Sequence, residues 1–206
     1  MSDIEAIMRT APVIPVLVIE DVAHAVPIAQ ALVAGGLRVL EVTLRTAAAL
    51  DVIRAMKQVR GAIVGAGTVL NAADLDQALA AGSEFIVSPG LTPALGRAAV
   101  ESGIPFLPGT ANAADIMLGL DLGLTRFKFF PAETSGGIQA LKALAAPFPM
   151  ARFCPTGGIT PATAPDWLAL QAVLCLGGSW MVPKGAPDAA KIESAARAAA
   201  ALGPKN

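Results

Sequence analysis

Six lysines occur in the chain, at positions 57, 128, 142, 184, 191 and 205, and one of them is out of place. Five fall in expected helices, loops or the C-terminal tail, where a solvated ammonium costs little. Lys128 lies instead within Phe127-Lys128-Phe129-Phe130, an aromatic run that reads as a β-strand. Side chains alternate along a strand, so two phenylalanines packed against helices turn Lys128 to the inner face. Burying an ammonium is costly, and desolvation lowers a lysine from its reference pKa of about 10.4. An amine tuned toward roughly 7–8 is a nucleophile for carbonyl carbon. The bland alternatives are a lysine that snorkels to a rim or one paired with a carboxylate.

Other residues suit the same chemistry. In Glu41-Val42-Thr43-Leu44-Arg45, period two puts Glu41, Thr43 and Arg45 on one side of a strand and Val42 and Leu44 on the other. Glu41 is a candidate general base, and Arg45 a candidate two-pronged grip on a carboxylate, unless the two simply form an internal salt bridge. Gly65-Ala66-Gly67-Thr68 contains a Gly-x-Gly, but Leu70 replaces the third glycine of the dinucleotide motif. Its glycines are expected to let substrate approach the backbone, with the Thr68 hydroxyl available to it. Two later glycine pairs, in Thr156-Gly157-Gly158-Ile159 and Gly177-Gly178-Ser179, are expected in loops after the last two strands. In barrels such loops often hold a phosphate on backbone N–H groups, although tight turns also need glycine. No Walker-type Gly-Lys-Ser/Thr occurs, which argues against nucleotide triphosphates.

The single histidine, His24, is informative in the negative. It leaves no imidazole set for a transition metal and no nucleophile elbow for a Ser-His-Asp triad, so it is expected at a helix end or on the surface. No metal and no cofactor are expected.

The elements that must position these residues alternate throughout. Strand-like runs occur at 13–19, 37–43, 63–66, 85–88, 106–108, 126–130, 152–155 and 172–176. Helical spacing follows each, to about 34 and then at 47–60, 72–81, 93–102, 113–122, 137–145, 162–170 and 188–202, with a short helix before the first strand. Eight such units predict a parallel sheet closed into a (β/α)₈ TIM barrel, one domain over 1–206. The competing doubly wound open sheet usually has fewer units and a Gly-rich first turn, and Ile19-Glu20-Asp21 has no glycine. Gly35-Gly36, Gly82, Gly103 and Gly123 each follow a helix, where glycine suits a left-handed cap. The last residues, Pro204-Lys205-Asn206, are expected to fray.

Composition agrees. Of 206 residues 54% are apolar and 15% charged, a balance for a large interior rather than disorder. The net charge of −1 carries no basic stripe, so nucleic acid is a poor partner. The apolar runs are far shorter than a membrane span, and no cationic head with an apolar run opens the chain. Cys154 and Cys175 fall in strand-like runs and read as reduced core thiols, which points to the cytoplasm.

The motifs together resemble a known family, the 2-dehydro-3-deoxy-phosphogluconate (KDPG) and 4-hydroxy-2-oxoglutarate (KHG) aldolases. The resemblance rests on Glu41-Val42-Thr43-Leu44-Arg45-Thr46, Gly65-Ala66-Gly67-Thr68-Val69, Ser88-Pro89-Gly90 and Phe127-Lys128-Phe129-Phe130-Pro131-Ala132-Glu133. It continues through Arg152-Phe153-Cys154-Pro155-Thr156-Gly157-Gly158-Ile159 and Gly177-Gly178-Ser179-Trp180. It implies a class I aldolase, active on 2-dehydro-3-deoxy-6-phosphogluconate and on 4-hydroxy-2-oxoglutarate, that assembles as a homotrimer. It further implies Lys128 as the Schiff-base residue, Glu41 as the proton-transferring carboxylate, and Arg45 and Thr68 on the pyruvate carboxylate. Pro89, Phe130 and Thr156 would line the pocket, with Gly157, Gly158, Gly178 and Ser179 toward the phosphate. One stretch departs from the family pattern, which usually has a Thr with a Ser/Thr and a Glu nearby. Here it reads Thr110-Ala111-Asn112-Ala113-Ala114-Asp115, where Asn112 and Asp115 suit a helix cap.

Overall fold

Every strand pair among the described residues is parallel, as alternating strands and helices dictate. The computed structural model describes residues 3–183 and 185–203. Lys184 and the expected fraying of Pro204-Lys205-Asn206 lie outside the described residues. Six strands form one sheet in the order β5-β4-β3-β2-β1-β9, and three form another in the order β6-β7-β8. Their ranges are β1 Val13–Leu17, β2 Val39–Thr43, β3 Ile63–Gly67, β4 Ile86–Val87, β5 Phe106–Leu107, β6 Gly109–Thr110, β7 Arg126–Phe129, β8 Arg152–Pro155 and β9 Leu176–Gly178.

The helices are α1 Ile4–Met8, α2 Ala25–Ala34, α3 Ala49–Met56, α4 Ala72–Ala80, α5 Pro93–Ser102, α6 Ala113–Asp121, α7 Gly137–Ala145, α8 Ala164–Leu168 and α9 Ala189–Ala200. Two of them start alike. Asn71 accepts the N–H of Asp74, whose carboxylate accepts the N–H of Leu70 (both 2.9 Å). Asn112 and Asp115 repeat the arrangement with Ala111 at the head of α6, the cap expected there. His24 ends a short 3₁₀ turn and leads into α2.

Two strands differ from their expected limits. The fifth runs on to Thr110 but is interrupted at Pro108, which has no N–H for the ladder, so it appears as β5 and β6. The Pro108 carbonyl still accepts the N–H of Lys128 (2.8 Å). The last strand covers Leu176–Gly178, so Gly177 and Gly178 are strand residues, in register with Ile14 and Pro15, and not a following loop. Single bridges, Phe153 to Val173 and Thr156 to Gly177, run between β8 and the segment ending in β9. Gly36, Gly82, Gly103 and Gly123 have positive φ as expected of left-handed caps. Gly35 does not (φ −76°). A Cβ there would lie 2.4 Å from the Ala196 Cβ of α9, so Gly35 serves close helix packing instead.

The apolar side chains sort into an outer layer and an inner one. Leu40 and Val42 of β2 and Val13 and Leu17 of β1 face the helices. So do Phe127 and Phe129 of β7 and Phe153 of β8. Inside the curled sheet lie Ile14, Val39, Phe85, Val87, Leu107, Cys154 and Cys175, closed from the strand N-terminal side by Ile7 and Met8 of α1. α1 is held there by charge. Arg126, at the start of β7, donates through Nε to Glu5 Oε2 (2.8 Å) and again through Nη2, while Arg9 Nε donates to Oε1 (2.7 Å).

The Arg126 and Arg9 contacts hold the Glu5 carboxyl below its ordinary value of 4.5. A lowered folded-state pKa stabilises above the unfolded value and is lost as pH falls through the folded one. Glu5→Gln should therefore lower the melting temperature at neutral pH, and the gap from the unaltered protein should narrow as the pH falls below 4.5. Equal melting temperatures at neutral pH would rule out this anchoring of α1.

Candidate active site

Lys128 comes to the inner face because its two neighbours are taken by the outer layer. Its Nζ donates to Glu41 Oε1 at 3.1 Å, across the interior from a strand of the other sheet. Both residues are buried, with relative exposures of 6% and 3%. The pairing with a carboxylate, one of the two bland alternatives, is thus real, and it is also what a proton-transfer couple requires. Lys128 Nζ lies 5.3 Å from the centre of the Phe130 ring, a cation–π distance. On the strand itself, Thr110 Oγ1 donates to the Lys128 carbonyl (3.3 Å).

Glu41 has room because β3 offers none of its own side chain. A Cβ at Gly67, its neighbour one strand over, would lie 2.3 Å from Glu41 Oε1 and 2.7 Å from its Cγ. The expectation that Gly65 and Gly67 open the backbone to substrate is corrected here: the Phe85 ring fills the space beside Gly65, and the Glu41 carboxylate fills that beside Gly67. The same device recurs in β9. A Cβ at Gly177 would lie 2.2 Å from Thr156 Oγ1, and one at Gly178 would lie 2.3 Å from the Trp180 ring. Thr156, buried, is held between this hollow and Cys154, whose carbonyl accepts its hydroxyl (3.4 Å). Cys154 is in register with Lys128. The neighbouring Cys154 thiol, with complete burial, pushes the Cys175 thiol well above its ordinary range. Both cysteines are free and buried, as expected.

The remaining residues lie at or beyond the strand C-terminal ends. Thr68 follows β3 directly with a left-handed backbone (φ 59°), uncommon for a β-branched residue and a mark of functional sites. Thr43 is inward and buried, but its hydroxyl donates to the Leu17 carbonyl (2.9 Å). Arg45 departs from the period-two reading: β2 stops at Thr43, and Arg45 stands exposed in the turn beyond. It makes no salt bridge with Glu41; among the described residues Glu41 pairs with Lys128. Pro89 packs its carbonyl over Gly109, the register partner of Lys128. Phe130 and Gly157 meet across the β7 and β8 ends, where a Gly157 Cβ would be 3.5 Å from the Phe130 ring. Gly157 and Gly158 both have positive φ (104° and 81°), so the turn needs glycine in its own right. Ser179 is exposed just past β9.

One neighbouring contact escaped the sequence reading. Trp167 of α8 donates through Nε1 to Glu133 Oε1 (2.9 Å), joining a helix to the segment after β7. Only the general rule that a buried indole needs an acceptor pointed to it. Among the described residues no group of three or more His, Cys, Asp or Glu side chains is placed to hold a metal ion, and no helix is long and apolar enough to cross a membrane. A surface cleft of about 720 Å³ between α7 and α8 includes neither Lys128 nor Glu41.

Comparison with known proteins places this geometry. The family profile for KDPG and KHG aldolase matches residues 4–195. The 2-dehydro-3-deoxy-phosphogluconate aldolase of Zymomonas mobilis subsp. mobilis is 65% identical over 202 residues, 98% of this chain and 97% of that protein. A crystal structure of the Zymomonas mobilis ZM4 2-keto-3-deoxy-6-phosphogluconate aldolase with 3-phosphoglycerate superposes with a TM-score of 0.97 at 64% identity, covering 98% of this chain and 97% of that one. The Legionella pneumophila KDPG aldolase, with pyruvate captured as a covalent carbinolamine, superposes with a TM-score of 0.94 at 41% identity, covering 97% and 99%. The chain belongs to the KDPG and KHG aldolase family.

Proposed function

We propose that the protein is a metal-independent class I aldolase. It cleaves 2-dehydro-3-deoxy-6-phosphogluconate to pyruvate and glyceraldehyde 3-phosphate, and 4-hydroxy-2-oxoglutarate to pyruvate and glyoxylate. The observation that carries this reading is the buried contact of Lys128 Nζ with Glu41 Oε1 at 3.1 Å. A buried amine next to a carboxylate can lose its proton to it and attack the keto carbon of a 2-keto acid. The carbinolamine so formed, the species captured in the Legionella pneumophila aldolase, loses water to give a protonated imine. That cation is an electron sink. Glu41, through a water, takes the proton from the hydroxyl on carbon four, and the bond between carbons three and four breaks. The aldehyde leaves, the enamine takes a proton at carbon three, and water releases pyruvate from Lys128.

The other residues follow the family pattern. Arg45 and Thr68 hold the substrate carboxylate, with the exposed guanidinium free to make a two-pronged contact. Pro89, Phe130 and Thr156 line the pocket. Gly157, Gly158, Gly178 and Ser179 lie toward the phosphate. The 3-phosphoglycerate in the Zymomonas mobilis aldolase supports a phosphorylated substrate. The strands form one (β/α)₈ barrel domain over 1–206: a single proline separates β5 from β6, and the bridges at Phe153 and Thr156 join β8 to the last strand. A homotrimer in the cytoplasm, acting in the Entner–Doudoroff pathway, completes the proposal.

Borohydride reduction in the presence of pyruvate should leave a stable adduct on Lys128, found by peptide mass mapping, and Lys128→Met should leave none. An adduct elsewhere, or none in the unaltered protein, would overturn the assignment. Gly67→Ala drives a methyl into the Glu41 carboxylate. It should lower kcat by about 100-fold, the cost typical of a 1 Å misplacement, and move KM less. Steady-state kinetics at unchanged kcat would show that Glu41 does not depend on that hollow.

A further inference from the structure

The segment after β7 and the turn after β8 are tied to each other. Ala132 donates its N–H to the Thr156 carbonyl (2.8 Å), and Glu133 donates its own to the Gly157 carbonyl (3.1 Å). The Glu133 stem lies over the turn, so close that a Cβ at Gly158 would fall 2.8 Å from its Cβ and Cγ. These contacts set the turn relative to the segment, but something must set the segment. Of its residues Ala132 is buried, while Pro131, Glu133 and Thr134 are exposed. The fixed point is Trp167. Its ring is fully buried, 6.3 Å from that of Phe129, in one apolar cluster with Ala132 and Ile159, which border the segment and the turn. Its one polar atom, Nε1, spends its hydrogen bond on Glu133 Oε1 at 2.9 Å. The second carboxylate oxygen faces Gly137 at the start of α7.

A carboxylate beside a proposed phosphate turn is electrostatically the wrong charge, so its value must be geometric. We propose that Glu133 and Trp167 are positioning residues that set selectivity for the phosphorylated substrate: their hydrogen bond holds the Gly157-Gly158 turn in register with Lys128. The inference rests on the reading above that this turn receives the substrate phosphate. Neither residue touches the reacting atoms. Losing the bond loosens the far end of the substrate and leaves the keto-acid end, held by Lys128, Arg45 and Thr68, as it was.

The test compares Trp167→Phe, Glu133→Ala and Glu133→Gln on two substrates, 2-dehydro-3-deoxy-6-phosphogluconate and unphosphorylated 4-hydroxy-2-oxoglutarate. Trp167→Phe and Glu133→Ala should each raise KM for the phosphorylated substrate about tenfold, the scale of one hydrogen bond, with kcat changing less. Their KM for the unphosphorylated substrate should stay within about twofold. Glu133→Gln keeps an acceptor oxygen and should restore selectivity. The double variant Trp167→Phe with Glu133→Ala should be no worse than either single one, since one bond is lost in all three. Equal losses on both substrates, unchanged selectivity, or a Glu133→Gln variant as poor as Glu133→Ala would overturn the proposal. Glu133 is exposed, so Glu133→Ala decides the matter if Trp167→Phe does not fold. A wild-type protein indifferent to the phosphate would instead overturn the phosphate reading itself, and this inference with it.

Discussion

The molecule is organised around one buried ion pair. An ammonium and a carboxylate in an apolar interior are each expensive to desolvate, and only their mutual contact and a good fit repay it. Lys128 and Glu41 meet at 3.1 Å from strands of two different sheets, 87 positions apart in the chain. Neither partner tolerates the absence of the other, since a lone buried charge is strongly destabilising. The pair therefore fixes where β2 and β7 stand relative to each other. It also stores, in one contact, both the nucleophile and the base of the proposed reaction.

Glycine placement follows from the bulk of neighbouring side chains, Glu41 among them, and not from turns alone. Strands β3 and β9 carry glycines where a side chain would strike Phe85, Glu41, Thr156 or the Trp180 ring. A parallel strand buried on both faces normally fills such positions with Val, Ile or Leu. Here the empty position is the complement of a neighbour's bulk. Inside the curled sheet an apolar cluster that includes the two thiols packs together, and the neighbouring Cys154 thiol, with burial, pushes the Cys175 thiol up. The buried pair, with Thr43, Thr110 and Thr156, lies toward the strand C-terminal ends, where barrel enzymes carry their chemistry.

Much of this was legible in the sequence. Period-two alternation turned Lys128 to the inner face, because its aromatic neighbours pack outward, and it set Glu41 on the side opposite Val42 and Leu44. The same rule failed at Arg45, since alternation holds only while the strand lasts and β2 ends two residues earlier. Pro108 hid the length of the fifth strand, and Gly177-Gly178 was read as a loop because glycine is the usual loop signal. What made these glycines strand residues is the bulk of side chains remote in sequence, such as Thr156, which no local window contains. The link from Trp167 to Glu133 was illegible for the same reason: its partners are 34 positions apart, and Trp167 belongs to no motif.

The short helix α1 has a consequence for traffic. With Ile7 and Met8 packed against Ile14, Val39 and Phe85, the inner face of the curled sheet is stoppered at its N-terminal end. Among the described residues, these side chains cover Lys128 from below. Keto acid, departing aldehyde, the water that hydrolyses the imine and the released pyruvate must all share the opposite opening. Order of passage then becomes part of the chemistry: the vessel is blind, and the aldehyde has to clear the doorway before another molecule can enter.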